Sequence, residues 1–183
     1  MAESSTDTFA SFNDCSVVSV GSTPTATFAK NLVGVSETRP GVYVFMDLFQ
    51  AGIGVCSRSD IALTVLASVI AHRIEVNELI LDAGGLALSK DRSTLARGED
   101  CGYGLVCDVI TAEPISGLVV AGVHQEHGQV TASSPIPFES LSVGTKVRVM
   151  PNHACMTAAA HDTYSVIDGS SDIVATWDRC HGW

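Results

Sequence analysis

Between residues 78 and 168 the chain breaks into short apolar runs, most of them too brief for helices, and this spacing limits the fold more than any other feature. The runs are Glu78–Asp82, Gly104–Ile110, Ile115–His124, Gln129–Ala132, Thr145–Met150 and Tyr164–Asp168. Turn signals at Ala83-Gly84-Gly85, His127-Gly128 and Asp168-Gly169 separate some of them. Short strands at such intervals, with few helical segments, predict a mainly β domain built as a barrel or a sandwich. A longer run, Ile61–Ala71, reads as either helix or strand, because periodicity does not separate the two.

The residues upstream have a different character. Ser16–Val20 predicts a short buried strand that ends in the loop Gly21-Ser22-Thr23-Pro24-Thr25. Small residues after a strand let backbone N–H groups and hydroxyls converge on an anion, although Gly, Ser and Pro also make ordinary turns. Further on, Glu37-Thr38-Arg39-Pro40-Gly41 predicts a turn, and Val42–Asp47, with its β-branched and aromatic residues, predicts a strand. Gly41 is a second small residue where a ligand could approach the backbone. The stretch Leu48–Cys56, which contains Gly52 and Gly54, predicts a poor helix or a loop.

Charge narrows the partners. The 183 residues carry a formal net charge of −10, and the Lys and Arg residues do not cluster, which argues against nucleic acid and anionic membrane surfaces. No apolar run reaches the roughly 18 residues that span a bilayer. The N-terminal residues are polar and acidic, unlike a secretory signal, so a cytoplasmic location with reduced thiols is expected. The cysteines Cys15, Cys56, Cys101, Cys107, Cys155 and Cys180 have irregular spacing, and Cys101 with Cys107 reads as two ordinary thiols.

One pair stands out chemically. His153-Ala154-Cys155 follows the strand candidate Thr145–Met150. If the strand continued, residues i and i+2 would share a face, and imidazole and thiol could hold one zinc ion while leaving positions open. A buried thiol beside a hydrogen-bonded histidine is the competing reading. His124 and His127, three apart, would face opposite sides of a strand and read as turn residues. His161-Asp162 reads as surface, and the segment from Trp177 to Trp183 as a frayed terminus.

Taken in order, Gly21-Ser22-Thr23-Pro24-Thr25, Glu37-Thr38-Arg39-Pro40-Gly41-Val42-Tyr43, Asp82-Ala83-Gly84, Gln125-Glu126-His127-Gly128 and Pro151-Asn152-His153-Ala154-Cys155 resemble the C-terminal part of the D-serine dehydratase-like enzymes. These are relatives of D-threonine aldolase and, more distantly, of alanine racemase. The resemblance runs from about Cys15 to about Asp168. It implies a pyridoxal phosphate-binding (β/α)8 barrel followed by a β-rich C-terminal domain. Residues 1–57 would then be the last strands of an incomplete barrel, and residues 58–183 the β-domain.

The resemblance also implies roles. Gly21, Ser22, Thr23 and Gly41 would hold the phosphate of pyridoxal 5'-phosphate, and His153 and Cys155 would bind zinc. Cys155 favours the dehydratase over the aldolase, which usually carries a carboxylate there. The implied reaction converts D-serine to pyruvate and ammonia, with the aldolase-like lyase and a non-catalytic metal-binding or interaction domain as alternatives. A small D-amino acid substrate is implied, with pairing either as a homodimer or with a barrel-containing relative. The family's Schiff-base lysine lies far upstream of the Gly-Ser-Thr loop. Lys30, Lys90 and Lys146 match no such position, so no catalytic residue is expected here and the chain alone is expected to be inactive.

Overall fold

The computed structural model describes residues 16–181. Cys15, the polar segment before it, and the last two residues of the Trp177–Trp183 ending lie outside that range. The chain divides into two compact units, residues 1–45 and residues 46–183.

In the smaller unit, strand β1 (Ser19–Gly21) leads into helix α1 (Thr23–Phe28), and the chain returns through strand β2 (Glu37–Arg39). The two strands pair in parallel, with Ser19 opposite Glu37 and Gly21 opposite Arg39. A parallel pair needs a crossover between its strands, and α1 lies within it. Pro24 falls in the first turn of α1, where its missing N–H has no partner to lose.

The strand predicted for Val42–Asp47 does not form. Val42–Val44 makes one 3-10 turn instead. β-branched composition favours a strand only where a neighbouring strand can complete the ladder, and among the described residues none pairs with this segment.

The larger unit is a closed six-stranded barrel. Strands β3 (Val65–Arg73), β4 (Glu78–Leu81), β5 (Gly104–Cys107), β6 (Pro114–Val123), β7 (Gly128–Thr131) and β8 (Lys146–Pro151) close in the order β3-β4-β7-β6-β5-β8. Every neighbouring pair is antiparallel. The ambiguous run Ile61–Ala71 is therefore mostly strand. Val65, Ala67 and Val69 point inward, while Leu66 points to solvent, as the two-residue period requires.

Val65, Ala67, Val69, Leu79, Leu81, Val106, Leu118, Val120, Val130, Val147 and Val149 fill the interior. Each buried Val or Leu contributes about 1.5–3 kcal/mol of transfer free energy. Small residues let neighbouring segments touch: a Cβ on Gly84 would overlap the backbone of His127, and one on Gly128 would lie 2.5 Å from the Ala83 carbonyl.

Three short helices decorate the barrel: α2 (Leu48–Gly52), α3 (Gly85–Leu88) and α4 (Ala154–Ala158). The region expected to fray is partly ordered, because strand β9 (Thr163–Ile167) pairs with strand β10 (Ile173–Asp178) in an antiparallel hairpin. Among the described residues, no helix is long and apolar enough to cross a membrane.

Candidate functional site

The motif around His153 sits where β8 ends and α4 begins, so the strand geometry expected for the pair does not apply. His153 has extended backbone (φ −137°, ψ 104°) and caps α4, whereas Cys155 is already in that helix. The two residues thus flank a strand-to-helix junction and do not share a strand face. The His153 side chain is 38% exposed and Cys155 is exposed.

The junction is held on several sides. Buried Asp47 spans two elements: one carboxylate oxygen accepts from the Gln50 N–H at 2.9 Å, and the other accepts from the Ala154 N–H at 2.9 Å. Asp47 thereby caps α2 and fixes the backbone between His153 and Cys155. Burial pushes its carboxyl up, against the backbone donors of Gln50 and Ala154, which pull it down. The Phe49 N–H adds a bond to the Asn152 carbonyl at 3.2 Å.

Asn152 is fully buried and works outward from the same junction. Its Oδ1 accepts from the Thr94 hydroxyl at 2.6 Å, and its Nδ2 donates to the Gly102 carbonyl. Thr94 in turn accepts from the Cys101 N–H at 3.2 Å. On the other flank, the Thr157 hydroxyl of α4 donates to the Leu88 carbonyl at 3.1 Å, and His161 Nε2 meets the Ala87 carbonyl at 3.1 Å. These bonds fasten α4 to α3. Helix α3 is itself held by the turn that the His124-to-His127 segment was read to form, since the Gly85 N–H donates to the His124 carbonyl at 2.7 Å.

Three of the five sequence motifs, at Asp82–Gly84, Gln125–Gly128 and Pro151–Cys155, thus belong to one hydrogen-bonded framework.

The titratable neighbours of the pair are Asp91 and Asp47. Asp91 Oδ2 lies 3.2 Å from His153 Nδ1. Burial works to raise the Asp91 carboxyl, but bonds from Ser93 and His153 outweigh it and hold the group below its ordinary range. Desolvation pushes the Cys155 thiol up, and the nearby Asp47 charge adds to this. Among the described residues no group of three or more His, Cys, Asp or Glu could hold a metal ion. His153 and Cys155 would therefore offer a metal two protein donors at most. A cavity of about 300 Å³ is lined by Leu48, Phe49, Cys56, Arg58, Thr94 and Cys101 among others, and His153 and Cys155 are not in its wall.

In the smaller unit the remaining two motifs also meet. Gly21 to Thr23 and Gly41 follow the C-terminal ends of the adjacent parallel strands β1 and β2, the side on which α/β folds place their ligands. The Tyr43 N–H donates to the Thr23 hydroxyl at 3.1 Å and ties the loops together. Ser22 caps α1, its Oγ accepting from the Thr25 N–H at 3.2 Å. It does so at φ +116°, a conformation that costs a non-glycine residue about 1–3 kcal/mol. A Cβ on Gly41 would meet nothing within 4 Å, so the unit's own packing does not explain its small size.

The serine dehydratase domain model matches residues 62–167, which covers the barrel and its junction. The chain belongs to that family. Among serine dehydratase-domain proteins, the D-threo-3-hydroxyaspartate dehydratase of Delftia sp. (strain HT23) is 46% identical over 175 residues, covering 92% of this chain and 45% of the relative. Its solved structure superposes with a TM-score of 0.84 over 96% of this chain and 47% of that one. The D-serine dehydratase of Dictyostelium discoideum is 36% identical over 176 residues, 91% of this chain and 43% of the relative. An alanine racemase-like protein from Idiomarina loihiensis, 43% identical, superposes with a TM-score of 0.86 over 100% of this chain and 48% of that one. The chain thus spans less than half the length of these relatives.

Sequence reasoning nominated His153 and Cys155 but missed Asp47, Asp91 and Asn152. Asp47 carried a signal: an Asp immediately before a short apolar helical stretch is a capping pattern.

Proposed function

We propose that this chain carries the metal-binding and phosphate-holding portions of a pyridoxal phosphate- and zinc-dependent D-amino acid dehydratase, acting on a β-hydroxy D-amino acid such as D-serine. The observation that carries this reading is the His153-Ala-Cys155 pair at a rigid junction. Structures of the Delftia dehydratase include one variant with a histidine replaced by alanine. They also include one with a cysteine, two positions further on, replaced by alanine, in the metal-free form. The same residue types at the same spacing support assigning His153 and Cys155 as ligands.

The donor set suits zinc. An imidazole and a thiolate are borderline-to-soft donors, and two protein ligands leave an open coordination position for substrate. Bound there, the metal would supply Lewis acidity to the β-hydroxyl, a poor leaving group on its own. His153 and Cys155 act as ligands in this scheme and transfer no proton. Gly21, Ser22, Thr23 and Gly41 would hold the phosphate of pyridoxal 5'-phosphate, a cofactor whose ring withdraws electron density from Cα.

The chain's own residues offer no base for the α-proton. Lys146 Nζ donates to Ser68 Oγ at 2.6 Å, and Lys30 and Lys90 match no lysine position of the family. Turnover of D-serine by these residues alone is therefore not expected.

Zinc content of the purified chain, measured by elemental analysis, tests the metal assignment. One equivalent in the wild type and a loss in Cys155→Ser and His153→Ala support it, while unchanged zinc in both variants refutes it. Gly41→Val tests the phosphate assignment, because open space above Gly41 lets the side chain fit. Affinity for pyridoxal 5'-phosphate should fall at least tenfold, and an unchanged affinity removes Gly41 from the site.

A further inference from the structure

We propose that Asp91 is the positioning residue of this metal pair. Its carboxylate accepts the Nδ1–H of His153, which leaves Nε2 as the metal-binding nitrogen. The inference rests on the reading of His153 and Cys155 as ligands and extends it to the residue that orients them.

The geometry singles out Asp91. Its Oδ2 lies 3.2 Å from His153 Nδ1. The carboxylate is itself fixed, because Oδ1 accepts from the Ser93 N–H at 2.8 Å and the Asp91 N–H donates to Ser89 Oγ at 3.2 Å. The neighbouring carboxylate, Asp47, is committed elsewhere, its two oxygens accepting from the backbone N–H groups of Gln50 and Ala154.

The distance between Asp91 and the junction is also constrained. Asp91 lies three residues beyond α3, and α3 is fastened to α4 through Thr157 and His161. The helix that presents Cys155 therefore carries the same framework that presents Asp91 to His153.

The chemistry follows from the tautomers of imidazole. A neutral ring has one N–H and one lone pair, and an acceptor fixed at Nδ1 keeps the proton there and the lone pair on Nε2. An ionised carboxylate on that proton also increases the electron-donating power of the other nitrogen, and losing such a partner typically lowers metal affinity about 10–100-fold. A two-donor site gains more from this than a four-donor site, because fewer protein ligands share in holding the metal.

The test compares wild type, Asp91→Ala, Asp91→Asn and His153→Ala. Zinc affinity is measured by competition with a chromophoric chelator, and the His153 tautomer by nitrogen-15 NMR of the metal-free protein. The expected result is an Nδ1–H tautomer in the wild type and a mixed population in Asp91→Ala, with zinc affinity down about 10–100-fold. Asp91→Asn, which keeps a neutral acceptor, should fall between. The double variant Asp91→Ala/His153→Ala should bind no more weakly than His153→Ala alone. If the wild type binds zinc and both Asp91 variants bind it equally well, the positioning role is overturned and the ligand assignment stands. If the wild type binds no zinc, the ligand assignment itself fails and takes this inference with it. If Asp91→Ala does not fold, Asp91→Asn decides by the same two readings.

Discussion

Replacing Asn152 with Ala should damage the junction more than any other single polar substitution in it. The side chain is about 1% exposed and holds three partners: the Thr94 hydroxyl at 2.6 Å, the Thr94 N–H at 3.4 Å and the Gly102 carbonyl. Alanine removes the amide without supplying either a donor or an acceptor. The Gly102 carbonyl and the Thr94 donors are then buried without a partner, and each such group costs about 1–3 kcal/mol. The 3.4 Å bond is long and counts for little, so two lost bonds set the scale, a total of about 2–6 kcal/mol. For a domain of this size each kcal/mol lowers Tm by about 2–4 °C, which gives a fall of about 4–24 °C.

Thermal and urea denaturation followed by circular dichroism measure this directly. Thr94→Val provides the second corner of a double-mutant cycle, since it removes the hydroxyl that Asn152 accepts. If the network is a unit, the double variant should lose about 0.5–2 kcal/mol less than the sum of the single losses. A loss under about 1 kcal/mol for Asn152→Ala, or strict additivity with Thr94→Val, would show that water or a rearranged loop satisfies these groups, and the case for a rigid junction would fail.

Other outcomes are open to equally direct measurement. The Asp91 carboxyl is held below its ordinary value of about 3.9, so its contribution to stability is present above that pH and is lost as pH falls through the lowered value. Asp91→Asn should therefore flatten the acid limb of the metal-free protein's stability profile, and an unchanged slope would refute this. Cys155 and Cys180 are exposed, and Cys101 and Cys107 are buried, with burial pushing the Cys107 thiol up to about 11. Alkylation at pH 8 followed by mass spectrometry should thus label the first two rapidly and the last two only on unfolding. Bound zinc should protect Cys155 but not Cys180. Gly84→Ala should destabilise the barrel unit by several kcal/mol, because the added carbon overlaps the His127 backbone, and a stable variant would show that the turn can shift.

The barrel was legible because its signal is local. Strand runs such as Glu78–Leu81 and the first four residues of Lys146–Pro151 alternate inward and outward residues, and turn residues punctuate them. Legibility failed where a partner decides the conformation. Val42–Asp47 has strand composition without a strand beside it, and Ile173–Asp178 becomes a strand only because Thr163–Ile167 lies opposite. At the candidate site the sequence showed the two ligand-type residues but placed them on a continuing strand. Pro151, which has no N–H for the ladder, marks the strand's end, but nothing local announces that Asp91, 62 positions before His153, will meet its ring. Long-range hydrogen bonds of this kind leave no period in the sequence.

On the proposed reading of His153 and Cys155 as ligands, the arrangement around them matches what a two-donor site needs. With four protein ligands, each donor helps hold the others, and loose side chains are tolerated. With two donors, every degree of freedom left in the imidazole, the thiol or the backbone between them is lost on binding and subtracts from affinity. Here Asp47 bonds the Ala154 N–H that lies between the two residues, Asn152 anchors the backbone just before them, and the Asp91 carboxylate lies 3.2 Å from Nδ1 of the ring. Each removes motion in advance, which is how a site keeps open positions for substrate without giving up its metal. On the proposed reading, the polar groups around the pair serve the pair itself, and the exposure of His153 and Cys155 would leave room for substrate beside a bound metal.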